Sequence, residues 1–212
     1  IGDFTLVNQN FTSATTTYNT AVGYSAGASV TTGVRNTLIG GISGDAITTG
    51  GDNVAVGANA LTANTTASNN TAVGSASLIT NTTGSFNTGL GNSALYANTT
   101  GTYNVAVGYQ ALDANTTAAN NTAVGYASLG ANTTGTVNTA VGANALDANT
   151  TANHNTAVGY ESLGANTTGT QNTALGSKTL QTNTTADNNT AVGYLALTAN
   201  TTGATNVAVG SS

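Results

Sequence analysis

The chain has 212 residues, of which only 4% are charged, with a net charge of -5 and no cysteine, proline, methionine or tryptophan. Its two basic residues, Arg35 and Lys178, cannot neutralise a run of phosphates, which excludes nucleic-acid binding through backbone electrostatics. Without cysteine there are no disulfides or thiolate sites, and no stretch of about 20 apolar residues is present to insert in a membrane.

Disordered chains pair high net charge with few β-branched residues. Here Thr, Asn, Ala, Gly and Val dominate, so an ordered chain is expected. Residues 1–18 are read as a degenerate first coil that keeps only a trace of the later pattern, in Ala14, Thr15 and Thr16. Residues 19–212 form a single domain of tandem repeats with a period of 17. Asn recurs from Asn19 to Asn206 at every seventeenth residue, in twelve copies without insertion or deletion. Numbered from that Asn, the unit reads N-T-A-V-G-Y-x-A/S-L-x-A-N-T-T-G/A-x-x. A 34-residue beat overlies it, with position 15 alternating between Ala118 and Gly135 and onward.

A fixed period without insertions is the condition for stacking like on like. Helical repeats need about 33 or more residues and good helix formers, whereas this unit is short and rich in poor ones. An antiparallel meander wants Asn-Gly or Asp-Gly turns, and neither dipeptide occurs. The expected fold is therefore all-β, a parallel β-solenoid or roll of about twelve 17-residue turns. At about 4.8 Å per turn the rod is on the order of 55 to 60 Å long.

Within each turn the pattern predicts one strand at positions 1 to 6 and a second around positions 8 to 14. Turns are placed near position 7 and at positions 15 to 17. A triangular coil of three short sides is the alternative. The first two copies depart from consensus, with Gly27 and Gly44 in place of Leu and Val30 and Ile47 in place of Asn.

Stacking makes each position a column. Position 4 gives the predicted core or interface ladder: Val22, Ile39, Val56, Val73, Leu90, Val107, Val124, Val141, Val158, Leu175, Val192 and Val209. Position 9 gives a leucine column from Leu61 to Leu197. At roughly 1.5 to 3 kcal/mol per buried side chain, these two columns are expected to supply most of the hydrophobic stabilisation. Position 12 gives an amide ladder: Asn64, Asn81, Asn98, Asn115, Asn132, Asn149, Asn166, Asn183 and Asn200. Asn at position 1 is expected to form a second such ladder.

Candidates for chemistry are few. Asp45, Asp113 and Asp147 share position 10 in single file, the last two being about 10 Å apart across Gly130. His154 occupies position 17 and reads as a solvated turn residue. The nine Asn-Thr-Thr triplets at position 12 match the N-glycosylation sequon, yet glycans about 4.8 Å apart would collide. Tyr24, Tyr109, Tyr126, Tyr160 and Tyr194 share position 6 and read as cover for the roll edge, with a contact stripe as the other reading. No catalytic residue, metal site or cofactor is expected, and the chain is read as no enzyme.

The N-T-A-V-G-x-x-A-L motif resembles the S-V-A-I-G-x-x-A repeats in the heads of trimeric autotransporter adhesins (YadA-like). It is also similar to the T-T-G-x-x-N-T-A-V-G repeats of phage tail-fibre-like surface proteins. The resemblance runs from about Asn19 to Val209, and the repeat here is longer than in those adhesin heads. It implies a parallel β-roll that assembles as a homotrimer and attaches to a host surface or matrix.

The expected function is thus a structural or adhesive rod of an extracellular fibre, surface adhesin or tail fibre, located outside the cell or on a virion. One alternative is a self-polymerising filament subunit joined end to end, because solenoid ends expose unpaired strand edges. Another is ice binding through Thr columns, although a T-T pair points to opposite faces of a strand where T-x-T would share one. Strand alternation leaves two packings open. Either position 4 faces the roll interior and a monomer is soluble, or Ala at position 3 faces inward and an apolar stripe faces out. The resemblance to trimeric heads implies the second.

Overall fold

The computed structural model describes residues 2–9 and 16–211. It is a parallel β-solenoid whose twelve three-residue strands, from β1 (Thr20–Val22) to β12 (Val207–Val209), recur once per 17-residue turn. They form one sheet in strictly sequential order. Register is like on like, as in Thr122↔Thr139, Ala123↔Ala140 and Val124↔Val141. Eleven steps of about 4.8 Å make the stacked sheet roughly 53 Å long.

Each strand occupies positions 2 to 4, where a Thr or Val, a small residue (Leu38 in the second copy) and a Val, Ile or Leu alternate. The glycine at position 5 ends it. Its φ lies between 126° and 142°, and an added Cβ on Gly125 would run into the backbone of Gly142 in the next turn. The stacking distance therefore forbids any side chain at that corner.

The predicted second strand at positions 8 to 14 does not form. Positions 7, 9 and 17 lie in the left-handed region in turn after turn: Ala127 at φ 48°, Leu129 at 52° and Val137 at 59° within one repeat. Each such residue bends the chain out of extended geometry. A turn bond from the amide of position 8 to the carbonyl of position 5, such as Ala145 to Gly142 at 3.3 Å, closes the first corner. The segment still bonds to its neighbours above and below, as in Leu129 N–H to Ala145 O at 2.9 Å and Thr133 N–H to Thr150 O at 2.9 Å. The parallel stack persists there without β dihedrals.

The core is the leucine column of position 9 packed against the alanines of positions 3 and 8. The position 4 ladder is not part of it: Val22, Ile39, Leu90, Leu175 and Val209 are exposed, and none of the twelve is buried. The physical reason is space. Leucine fills the narrow coil and leaves room only for Ala opposite, so the larger side chain of each strand must point out.

The first two copies show the exchange in reverse. Gly27 and Gly44 replace the leucine, and Leu38 at position 3 fills the gap, with its methyls where a Cβ on either glycine would lie. Val30 and Ile47, fully buried at position 12, complete that repacked end. Where position 8 is Ser, its hydroxyl bonds the strand of the next turn, as in Ser128 Oγ to Ala140 O at 3.0 Å.

The N-terminal residues carry more of the coil than the sequence suggests. Leu6 N–H bonds Ala26 O at 3.2 Å and Ser25 N–H bonds Asp3 O at 2.9 Å, bonds that place Leu6 in the leucine column. Ala14 and Thr15 lie outside the described residues; Thr16 is exposed. No helix among the described residues is long and apolar enough to cross a membrane.

Candidate interaction faces and a polar groove

From Asn64 to Asn183 the position 12 asparagines are buried inside the rod, and from Asn81 onward each side-chain amide donates to the side-chain oxygen of the Asn one turn below. Asn98 bonds Asn81 at 2.8 Å, Asn115 bonds Asn98 at 2.8 Å and Asn149 bonds Asn132 at 2.9 Å. The other amide hydrogen goes to the position 15 carbonyl of the same turn, as in Asn132 to Gly135 O at 3.0 Å. With their nitrogens saturated and out of solvent, Asn81 to Asn183 offer no acceptor for a glycan in the folded rod.

The position 1 asparagines differ from the expected side-chain ladder. Their Oδ1 accepts the backbone N–H of the next turn's Asn, as in Asn138 N–H to Asn121 Oδ1 at 2.9 Å. Their amide reaches across the coil to the same position 15 carbonyl, Asn121 to Gly135 O at 2.8 Å. A side-chain bond between neighbours is added only in places, such as Asn104 to Asn87 at 3.2 Å. One backbone oxygen thus ties both Asn columns together and closes the turn.

The outer surface divides into faces. On the sheet face, positions 2 and 4 are Thr, Val, Ile or Leu in every copy, so the stripe carries no charge at all. The tyrosines of position 6 follow the strand's end, are exposed, and stack where they are adjacent, with Tyr109 and Tyr126 centroids 5.8 Å apart. A second face bears Thr at positions 13 and 14. The first hydroxyl is taken up by the next turn's carbonyl, as in Thr133 Oγ1 to Thr150 O at 3.1 Å, which leaves position 14 as a single exposed file. Beside it, position 17 presents His154, the stacked rings of Phe86 and Tyr103 at 5.0 Å, and a bidentate Arg35–Asp52 pair at 2.5 and 2.7 Å.

The third face holds position 10. Asp113 and Asp147 are half-buried, and each leans toward the glycine of the turn above: their Oδ1 atoms lie 3.6 and 3.7 Å from where a Cβ on Gly130 or Gly164 would sit. Desolvation pushes both carboxyls above the ordinary aspartate range, as it does Asp45, whose Oδ1 is buried without a hydrogen-bond partner. Over Gly164 the surface sinks into an open groove of about 570 Å³ lined by Asn144, Asp147, Glu161, Gly164, Gln181 and Thr182, with Ala148 and Ala165. Glu161 Oε2 accepts from Gln181 at 2.6 Å and lies 3.5 Å from Lys178 Nζ. Nothing in the sequence pattern marked this groove, because position 10 varies from copy to copy. Among the described residues no three His, Asp or Glu side chains converge on one point.

The raised carboxyls set the sign of a pH effect. A folded-state pKa above the unfolded value means the native chain holds its proton where the unfolded chain has lost it. Stability therefore falls as pH rises from the ordinary aspartate range into the raised one. Asp52 is shifted downward by its hydrogen bond to Arg35, but it is fully exposed and screened. The melting temperature is expected to be higher near about pH 3.5 than near pH 7. Asp113→Asn should raise it at neutral pH and flatten the profile; a melting temperature that climbs steadily toward neutrality would contradict this.

Comparison of the chain with protein-family models, curated proteins and solved structures gives no match.

Proposed function

We propose that the chain is a structural, adhesive rod of an extracellular fibre or surface adhesin of a cell or virion, that it works as a homotrimer, and that it catalyses no reaction. The observation that carries this reading is the outward sheet face: twelve turns of Thr or Val beside Val, Ile or Leu, uncharged throughout. Soluble monomers blunt such surfaces with charge, and a long flat apolar face left open invites association.

The strand positions 2 to 4 make the face about 10 Å wide, and over roughly 53 Å of rod it offers about 500 Å². That is about three fifths of what each partner contributes to a standard specific interface, about 800 Å². Three copies packed around a common axis bury these stripes against one another. The remaining faces stay free for a host surface or matrix. A rigid rod suits attachment because every backbone segment is bonded to the turns on both sides, so a load is shared along the stack.

Val124 ends β7 (Thr122–Val124) at the middle of the stripe and points away from the core. Val124→Asp is expected to leave the circular dichroism spectrum of the rod unchanged while converting the assembly to single chains. An assembly of undiminished mass with Asp in place would overturn the assignment of this face.

A further inference from the structure

We infer that the groove over Gly164 is a binding site for neutral saccharides of one or two rings. It exists because Gly164 stands between two residues of its column that carry polar side chains: Asp147 lies one turn below and Gln181 one turn above. The missing side chain leaves a trough whose floor is Gly164 with the methyls of Ala148 and Ala165, and whose walls are polar. A volume of about 570 Å³ lies within the range of small-molecule sites and accommodates a disaccharide.

The wall chemistry selects the ligand. Asn144 has no side-chain hydrogen bond among the described residues. Glu161 is engaged by Gln181, Lys178 and the Tyr160 hydroxyl, and Gln181 uses only its amide nitrogen. The free amide of Asn144 and the free amide oxygen of Gln181 therefore line one trough, a mixture of donors and acceptors that suits the paired hydroxyls of a sugar ring. The alanine and glycine floor suits the ring's C–H face. Tyr160 stands at the edge, its hydroxyl interacting with Glu161 and its ring 5.9 Å from Lys178 Nζ.

Two carboxylates against one ammonium leave the trough net negative, which disfavours uronic acids, sulfated sugars and phosphates. Asp113 below Gly130 repeats the pairing of Asp147 below Gly164 two turns away, but Ala127 stands there in the place of Glu161, so the wall of the trough is particular to Gly164.

The variant that fills the trough is supplied by the chain itself. Position 10 carries Thr62, Ile79 and Tyr96 in other turns with the same coil path, and Gly164 lacks a left-handed φ. Gly164→Ile is thus expected to fold with an unchanged melting curve. The test is a titration of the ¹⁵N-labelled chain with maltose and, separately, N,N′-diacetylchitobiose, read at the side-chain amides of Asn144 and Gln181 and the backbone of Gly164 and Ala165. At least one sugar should give saturable shifts confined to these signals. Gly164→Ile should weaken the response by roughly tenfold or more, whereas Tyr24→Ala, at the far end of the stack, should not. Absence of saturable shifts with both sugars would overturn the inference, as would shifts retained in Gly164→Ile. A response of the same residues to calcium chloride but to neither sugar would make the trough a cation site and overturn it equally.

Discussion

Leu129→Ala is expected to destabilise the rod by about 2 to 5 kcal/mol, read as a fall in the urea midpoint, because it empties the coil at a point where neither neighbour can relax into the space. Leu129 is fully buried, and Leu112 and Leu146 occupy the same column directly below and above it. The unusual element lies in the backbone. Leu129 has φ 52°, a conformation that costs a residue bearing a Cβ roughly 1 to 2 kcal/mol relative to glycine. Alanine retains that cost while losing the burial, whereas glycine loses the burial and removes the strain. Leu129→Gly should therefore be no more destabilising than Leu129→Ala, the reverse of the usual order. Gly27 and Gly44 show that glycine fits this backbone position when another side chain fills the void. Leu197, near the end of the stack and only partly buried, should tolerate alanine better than Leu129 does. An alanine variant clearly more stable than the glycine variant would show that the left-handed leucines carry no strain.

The second large effect is expected at Asn132. Its amide donates to Asn115 Oδ1 at 3.1 Å and to Gly135 O at 3.0 Å, and its own oxygen accepts from Asn149 at 2.9 Å. Asn132→Ala strands the Asn115 oxygen and one Asn149 hydrogen inside the rod. Gly135 O keeps the bond from Asn121 at 2.8 Å, so that carbonyl is not orphaned. Two buried groups without partners should cost about 3 kcal/mol together. Asn132→Asp should be worse than Ala, since it removes the donor and buries a charge beside the Asn115 oxygen. An alanine substitution that leaves the urea midpoint in place would mean that water replaces the lost bonds, which contradicts a dry ladder.

The period, the parallel register and the single chain of like-on-like columns were legible because twelve copies keep the same spacing, and stacking then forces each residue onto its own kind. The position 12 ladder was legible for the same reason, since a buried amide finds donor and acceptor together in an identical neighbour. The second strand was misread. The leucine at position 9 stands in the left-handed region where sequence alone suggests extended backbone, whereas positions 7 and 17, with Phe86 and Val137 among them, turn where the sequence places turns. Faint signals were present: Gly27 and Gly44 within the leucine column, and Asn69, Asn120 and Asn188 at position 17. The direction of the position 4 column was undecidable from alternation, because it depends on how much interior the leucines leave. The groove could not be read at all, since only stacking brings Asp147, Gly164 and Gln181 into one trough.

The burial of the position 4 stripe between copies is tested most directly by the mass of the unmodified chain in solution. Sedimentation equilibrium at micromolar concentration should return three times the 20.5 kDa of a single chain. A stable, soluble species of 20.5 kDa would show that the apolar face stands open to water, and would contradict the trimer.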